Sequence, residues 1–368
     1  MKSMVATLIK PNPHIGAMSP YALADLKAPA GKTLISLSQN ESLRAPSPAV
    51  AEAVRAALTK TELYPDPDWT ELRHAIAKVH EVNAANILCG TGSMELIDCL
   101  TRAFASKGKS VVVPEFAYPF FKTATRLVDA KLIAASETDA AVDVKKIMSC
   151  VRADTAIVFV ANPGNPTGTR ISRSALMNLQ AKLPPNVLLV IDEAYGEFAD
   201  HIEAGCFDMV ADGRTIVLRT FSKAYGMAGY RVGWGFFPPS IVNEMRKVMT
   251  PNNISIVAQA AAVAAMTDQT YMRETCSLTA VARNDARDTL SAIDLHTYPS
   301  ATNFLLIEFG TAENAQSCDA YLRSEGIFLR PQAGAGLPSC LRITIGAPDA
   351  MQFALEHITR WTQTERKP

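Results

Sequence analysis

Ile216-Val217-Leu218-Arg219-Thr220-Phe221-Ser222-Lys223-Ala224-Tyr225-Gly226-Met227-Ala228-Gly229-Tyr230-Arg231-Val232-Gly233 is the stretch around which the chain is organised. Ile216-Val217-Leu218 reads as a buried strand, and a second apolar run covers residues 232–237. A serine–lysine pair and several glycines lie between them. A lysine held at a strand end in a closed site can be desolvated. Its amine then stays neutral and nucleophilic, as Schiff-base chemistry requires. Ser222 and Arg231 can hold a phosphate beside it, one by a hydroxyl and one by a planar cationic fork.

Working outward, apolar runs at residues 110–113, 132–135, 156–160 and 187–191 alternate with helical stripes such as Leu176, Leu179 and Leu183. Several runs are continuously apolar, as in strands buried on both faces. The alternation predicts an α/β domain with a largely parallel sheet. Toward the N-terminus, residues 1–45 are proline-rich and read as an arm lying over other structure, with one short strand near 34–37. Ser47-Pro48 starts a helix with Val50, Val54, Ala57 and Leu58 on one face. Asp68-Trp69-Thr70-Glu71 reads as a capping box for the next helix. Toward the C-terminus, residues 240–295 are helical, and strands are expected at 304–309, 327–329 and 341–345. The expected division is an arm (1–45), a large cofactor-binding domain (46–250) and a small α+β domain (251–368).

Composition narrows the function. Of the 368 residues, 48% are hydrophobic and 20% charged, the balance of a soluble globular chain. Lys plus Arg equals Asp plus Glu at 36 each, which leaves no electrostatic footprint for nucleic acid or an anionic membrane. The seven cysteines lack a CxxC pair and the six histidines form no ligand-spaced cluster, so reduced thiols and no metal site are expected. The N-terminus has no apolar h-region, and the longest uncharged apolar run, 254–266, is too short for a bilayer. A cytoplasmic protein is expected.

Further stretches fall at strand ends, where open α/β sheets bind ligands. Gly90-Thr91-Gly92-Ser93-Met94-Glu95 enters a helix and offers N–H groups to an anion. Asn162-Pro163-Gly164-Asn165-Pro166-Thr167-Gly168 is a stiff turn in which Asn165 presents an amide. Asp192-Glu193-Ala194-Tyr195 follows a buried run, so the Asp192 carboxylate needs a partner, and a pyridinium nitrogen suits it. Tyr64 and Phe116 are aromatic residues near turns. Arg342 and Arg330, on two strands of the small domain, can each grip a carboxylate or phosphate with two N–H bonds. Lysine, phosphate grip and Gly-rich turn together suggest pyridoxal 5'-phosphate.

In this order, the stretches resemble the fold type I pyridoxal-phosphate-dependent aminotransferases, with the nearest likeness to the histidinol-phosphate aminotransferase branch. The resemblance implies a mostly parallel seven-stranded sheet flanked by helices, plus a smaller C-terminal domain. It implies that Lys223 joins the cofactor and moves the substrate proton, while Asp192 pairs with the ring nitrogen. Asn165 and Tyr195 would bond the phenolic oxygen, and Phe116 would stack on the ring. Gly92, Ser93, Met94, Ser222 and Arg231 would hold the phosphate. Tyr64 would reach it from a neighbouring subunit, so a homodimer with shared sites is implied. Arg342, Arg330, Tyr21 and Asn165 would bind substrate. The implied reaction is ping-pong through pyridoxamine phosphate, with histidinol phosphate and 2-oxoglutarate as the leading pair. Asn40-Glu41-Ser42-Leu43 departs from the family's Asn-Glu-Asn-Pro. An aromatic amino acid aminotransferase is the alternative, followed by a decarboxylase acting on threonine phosphate.

Overall fold

Neighbouring residues on the central strands feed two different cores, which is what makes the main sheet. Val111, Val113, Ile157, Phe159, Val190, Ile216 and Leu218 enter one core. Val112, Val158, Val160, Leu189, Ile191 and Val217 enter another. Side chains alternate across a strand, so apolar residues at both parities require cover on both faces. The computed structural model describes residues 9–20 and 27–364. Its first eight strands are β1 (Ile35–Ser36), β2 (Ile87–Gly90), β3 (Ser110–Pro114), β4 (Lys131–Ala135), β5 (Thr155–Ala161), β6 (Leu188–Asp192), β7 (Thr215–Thr220) and β8 (Gly233–Phe236). Strands β2 to β8 form one seven-stranded sheet in the order β2-β8-β7-β6-β5-β3-β4. Only β8 runs antiparallel to its neighbours. Helices Ser93–Phe104 and Pro119–Leu127 cover one face through Leu96, Leu100 and Phe121. Helices Val144–Cys150 and Arg173–Lys182 cover the other through Ile147, Leu176 and Leu179.

The C-terminal part adds β9 (His296–Thr297), β10 (Phe304–Glu308), β11 (Ile327–Phe328), β12 (Arg330–Pro331) and β13 (Cys340–Thr344). Four of these form an antiparallel sheet, β12-β13-β10-β9. Its core includes Leu305, Ile307, Leu341, Ile343 and Trp361. Strand β11 instead pairs in parallel with β1 of the arm. Leu37 enters this second core, and its carbonyl accepts the Thr344 N–H at 2.9 Å. The arm around residues 35–40 is therefore stitched into the small unit. Helix Ile256–Thr267, beyond the expected boundary at 250, sends Ala258, Ala261, Ala262 and Ala265 into the core of the large sheet.

Helix starts show how local signals compete. Ser47 caps the helix Pro48–Ala57 as expected, its hydroxyl accepting the Ala49 N–H. The capping box at Asp68 does not form. The helix starts at Thr70 after a left-handed Trp69, and Asp66 accepts the N–H groups of Asp68 and Thr70 at 2.9 and 2.7 Å. Asp68 pairs with Arg73 and Arg246 instead. Two guanidinium partners outcompete one backbone N–H for the same carboxylate. Among the described residues no helix is long and apolar enough to cross a membrane.

Candidate active site

The carboxyl ends of β5, β6 and β7 face the small unit across a cavity of about 510 Å³. Its walls include Ser93, Met94, Tyr118, Asn165, Asp192, Tyr195, Ser222, Lys223, Arg231, Arg330 and Arg342, together with Asn40 and Glu41 from the arm. Ligands collect at this edge because the turns there are free of the packing that the strands themselves require.

Asp192 ends β6 and is 4% exposed. Its carboxylate accepts one hydrogen bond, from the Ala194 N–H at 3.1 Å. Burial pushes it up to about 7, and the charge of Glu193 adds to the rise. A buried acid with one donor and an open cavity in front of it fits a cationic partner, such as a protonated ring nitrogen.

Lys223 lies just past β7. Its Nζ donates to the carbonyls of Asn40 and Gln39 at 2.9 and 3.2 Å. Burial, aided by Arg342 and Arg231 and opposed by Glu41, brings its pKa down to about 7. A large share of the amine is thus neutral near pH 7, the form that attacks a carbonyl.

Across the cavity floor, the Asn165 amide oxygen accepts from Arg342 Nη1. The Tyr195 phenol accepts from Asn40 Nδ2 at 2.8 Å, and its ring meets Phe304 edge-on at 5.3 Å. The segment carrying Tyr195 is clamped by Arg219 of β7. Arg219 donates from Nε and Nη2 to Glu193 at 3.0 and 2.8 Å and from Nη1 and Nη2 to Asp200 at 2.7 and 2.8 Å, with Glu197 at 3.4 Å.

An anion cup forms where helix Ser93–Phe104 meets the lysine turn. The first-turn N–H groups of a helix lack intrahelical acceptors. Arg231 adopts a left-handed φ of 58° and donates from Nη1 to the Ser222 hydroxyl at 3.3 Å and the Ala228 carbonyl at 3.0 Å. Gly92 has φ +85°, and a Cβ there would sit 2.6 Å from Arg231 Nη2. Only glycine lets the guanidinium close over the helix start.

On the small unit, Arg330 of β12 stands directly opposite Arg342 of β13 in the strand register. Both reach the cavity. Arg342 Nη2 also donates to the Ser38 carbonyl at 2.8 Å. Two guanidinium groups that reach one cavity offer an anion two planar donor forks.

The structure brings together most of the predicted residues. Lys223, Asp192, Tyr195, Asn165, Ser93, Met94, Ser222, Arg231, Arg330 and Arg342 share this one cavity, with Gly92 at its edge. Phe116 does not line it. Its N–H donates to Glu137 at 3.0 Å, and Tyr118, two residues on, forms the aromatic wall. The turn into helix Pro119–Leu127 decides which ring faces the cavity, and the sequence offers two aromatics to choose between. Tyr64 is 87% exposed and does not reach the cavity of its own chain. Tyr21 lies outside the described residues. The role of Asn40 in the site was missed by sequence reasoning. An asparagine just after a short strand, free to take a positive φ, was the available signal; φ is 55°.

A model of the family "aminotransferase class I and II" matches residues 32–358. The chain belongs to that family. Among curated relatives of this aminotransferase, the histidinol-phosphate aminotransferase of Rhodospirillum centenum is 36% identical over 95% of this chain and 98% of its own. That of Hyphomonas neptunium is 37% identical over 96% and 97%. The crystal structure of histidinol-phosphate aminotransferase from Sinorhizobium meliloti, in complex with pyridoxal-5'-phosphate, superposes with a TM-score of 0.92. It is 30% identical and covers 98% of this chain and all of the other. An aspartate aminotransferase variant from Thermus thermophilus, at 21% identity and TM-score 0.83, shares the fold.

Proposed function

We propose that this aminotransferase uses pyridoxal 5'-phosphate to transfer an amino group between histidinol phosphate and 2-oxoglutarate, a step of histidine biosynthesis. The observation that carries the cofactor assignment is the buried Asp192, with one hydrogen bond, in the same cavity as a near-neutral Lys223. Relatives of that name, aligned over nearly the whole chain, support the substrate. So does the pairing of Arg330 with Arg342 across one register position.

The residues present fit the cofactor. When bound, it supplies an electron-accepting ring next to the substrate carbon that loses a proton. Asp192 would pair with the ring nitrogen and keep it protonated. Asn165 and Tyr195 would bond the phenolic oxygen, and Tyr118, rather than Phe116, would supply the aromatic contact to the ring. Ser222, Arg231 and the first-turn N–H groups of Ser93 and Met94 hold the phosphate. Lys223 would supply the amine that holds the cofactor, and the same amine is placed to accept a proton from the substrate α-carbon. Arg342 and Arg330 orient the anionic substrate, which excludes unproductive poses.

We further assign a cytoplasmic homodimer in which Tyr64 completes the neighbouring subunit's phosphate site. Its supports are the 87% exposure of Tyr64 and the exposure of Leu58 and Leu63 beside it. Apolar residues standing together on a surface favour burial against a second copy.

The deciding experiment is a substrate panel: histidinol phosphate, phenylalanine and tyrosine, each with 2-oxoglutarate. Histidinol phosphate is expected to give the highest kcat/KM. A marked preference for phenylalanine would overturn the assignment in favour of an aromatic aminotransferase. Carbon dioxide release without an acceptor would assign a decarboxylase.

A further inference from the structure

Two carboxylates line the cavity, and the proposed reaction gives work to one of them. Asp192 would hold the cofactor nitrogen. The other, Glu41, stands with four cations around the same space: Lys223, Arg231, Arg330 and Arg342. Among the described residues its carboxylate has no hydrogen-bond or ion-pair partner. Its backbone, in contrast, is fixed. Asn303 Nδ2 donates to the Glu41 carbonyl at 2.9 Å and to the Asn40 carbonyl at 3.1 Å, and Asn40 is tied to Thr344 and Tyr195. Glu41 is an exposed acid on a rigid mount that lines a largely cationic cavity, and a ligand entering there can meet it.

The charges can be matched in turn. Ser222 and Arg231 are committed to the cofactor phosphate, and Arg330 and Arg342 to the substrate's anionic end. The remaining substrate groups are the α-amine, placed near Lys223, and the side chain. The Glu41 carboxylate lines the same cavity as Lys223 and acts on its charge, so it is available to a side chain placed beside the reacting carbon. A phenyl ring offers it no donor. An imidazole offers an N–H donor when neutral and two when charged.

Resting on the histidinol phosphate reading above, we propose that Glu41 is the specificity-determining residue that accepts a hydrogen bond from the substrate's imidazole N–H. Charged acceptors of this kind contribute roughly 1.5–3 kcal/mol, equivalent to about ten- to hundredfold in binding.

The test is Glu41→Gln in the holoenzyme, which keeps the shape and removes the charge. The ratio of kcat/KM for histidinol phosphate to that for phenylalanine is expected to fall about ten- to hundredfold, with the loss in KM rather than kcat. A second readout is calorimetric titration of the pyridoxamine phosphate form with histidinol phosphate, which it binds without turnover. The dissociation constant is expected to rise by the same factor. An equal loss for both substrates would overturn the proposal and give the carboxylate to the shared α-amine. An unchanged ratio, in a wild type that prefers histidinol phosphate, would overturn the role of Glu41 alone. A wild type that does not accept histidinol phosphate would overturn the reaction assignment and this inference with it.

Discussion

Asn40 reaches across 155 positions of sequence to donate its Nδ2–H to the phenol of Tyr195 at 2.8 Å. The same residue accepts from Lys223 Nζ through its carbonyl at 2.9 Å and, through its N–H, bonds the Thr344 hydroxyl at 2.9 Å. One arm residue thus ties the small unit to two functional groups of the large one. Asn40→Ala removes the amide and leaves a left-handed backbone that alanine tolerates poorly. The loss of one buried bond and the backbone cost should destabilise the protein by roughly 1–3 kcal/mol. The pH–rate profile should shift as well, because the Tyr195 phenol loses its donor. A profile identical to wild type would remove Asn40 from the site.

Asp192 predicts a pH dependence with a definite sign. Its folded pKa is raised from 3.8 to about 7, so the charged form is the disfavoured one. The resulting penalty is absent below the unfolded value, grows as pH rises through the window between the two, and is constant above it. Asp192→Asn removes it. In the cofactor-free protein, the Tm advantage of Asp192→Asn over wild type should therefore grow between about pH 4 and pH 7 and then level off. A constant difference across that window would contradict the burial argument.

Lys223 is shifted the other way, from 10.5 to about 7. Its neutral form is the nucleophile, so the rate of cofactor uptake by the cofactor-free protein should fall below about pH 7 and plateau above it. An inflection near the ordinary lysine value would mean that the amine is solvated. Lys223→Ala should abolish transamination, and retained turnover would reassign the nucleophile.

Arg219 holds three carboxylates, with its own side chain almost wholly buried. Arg219→Met leaves Glu193 and Glu197 buried without a cation, which typically costs about 3–5 kcal/mol. Arg219→Lys restores the charge but not the fork, so chemical denaturation should place it between Met and wild type. A Met variant as stable as wild type would show that the clamp contributes nothing.

Arg342 contacts Asn165 and Ser38 and faces Arg330. Arg342→Ala should weaken apparent substrate affinity by roughly 2–5 kcal/mol while leaving cofactor absorbance in place. Unchanged KM values for both the amino donor and the keto acceptor would take Arg342 out of substrate binding.

The fold class was legible because strands buried on both faces must be apolar at successive positions, and residues 111–113, 156–160 and 187–191 are. Lys223, Asp192 and Arg231 were legible because their turns follow such strands, where an open sheet leaves its ligand edge. The exception within the sheet, antiparallel β8, is not written in its apolar run, since either direction buries the same side chains.

Only the tertiary structure decided the rest. Asp66 rather than Asp68 caps a helix because distant Arg246 and nearby Arg73 claim Asp68. Tyr118 rather than Phe116 faces the cavity because the orientation of a turn, not its composition, selects the ring. Asn40 and Glu41 enter the site because β1 pairs with β11, some 290 residues away, and carries the arm to the cavity. Sequence determines which segments must be buried and which groups can do chemistry, because these are local properties of side chains. It does not determine which of two similar neighbours meets a ligand, because that depends on contacts between segments far apart in the chain.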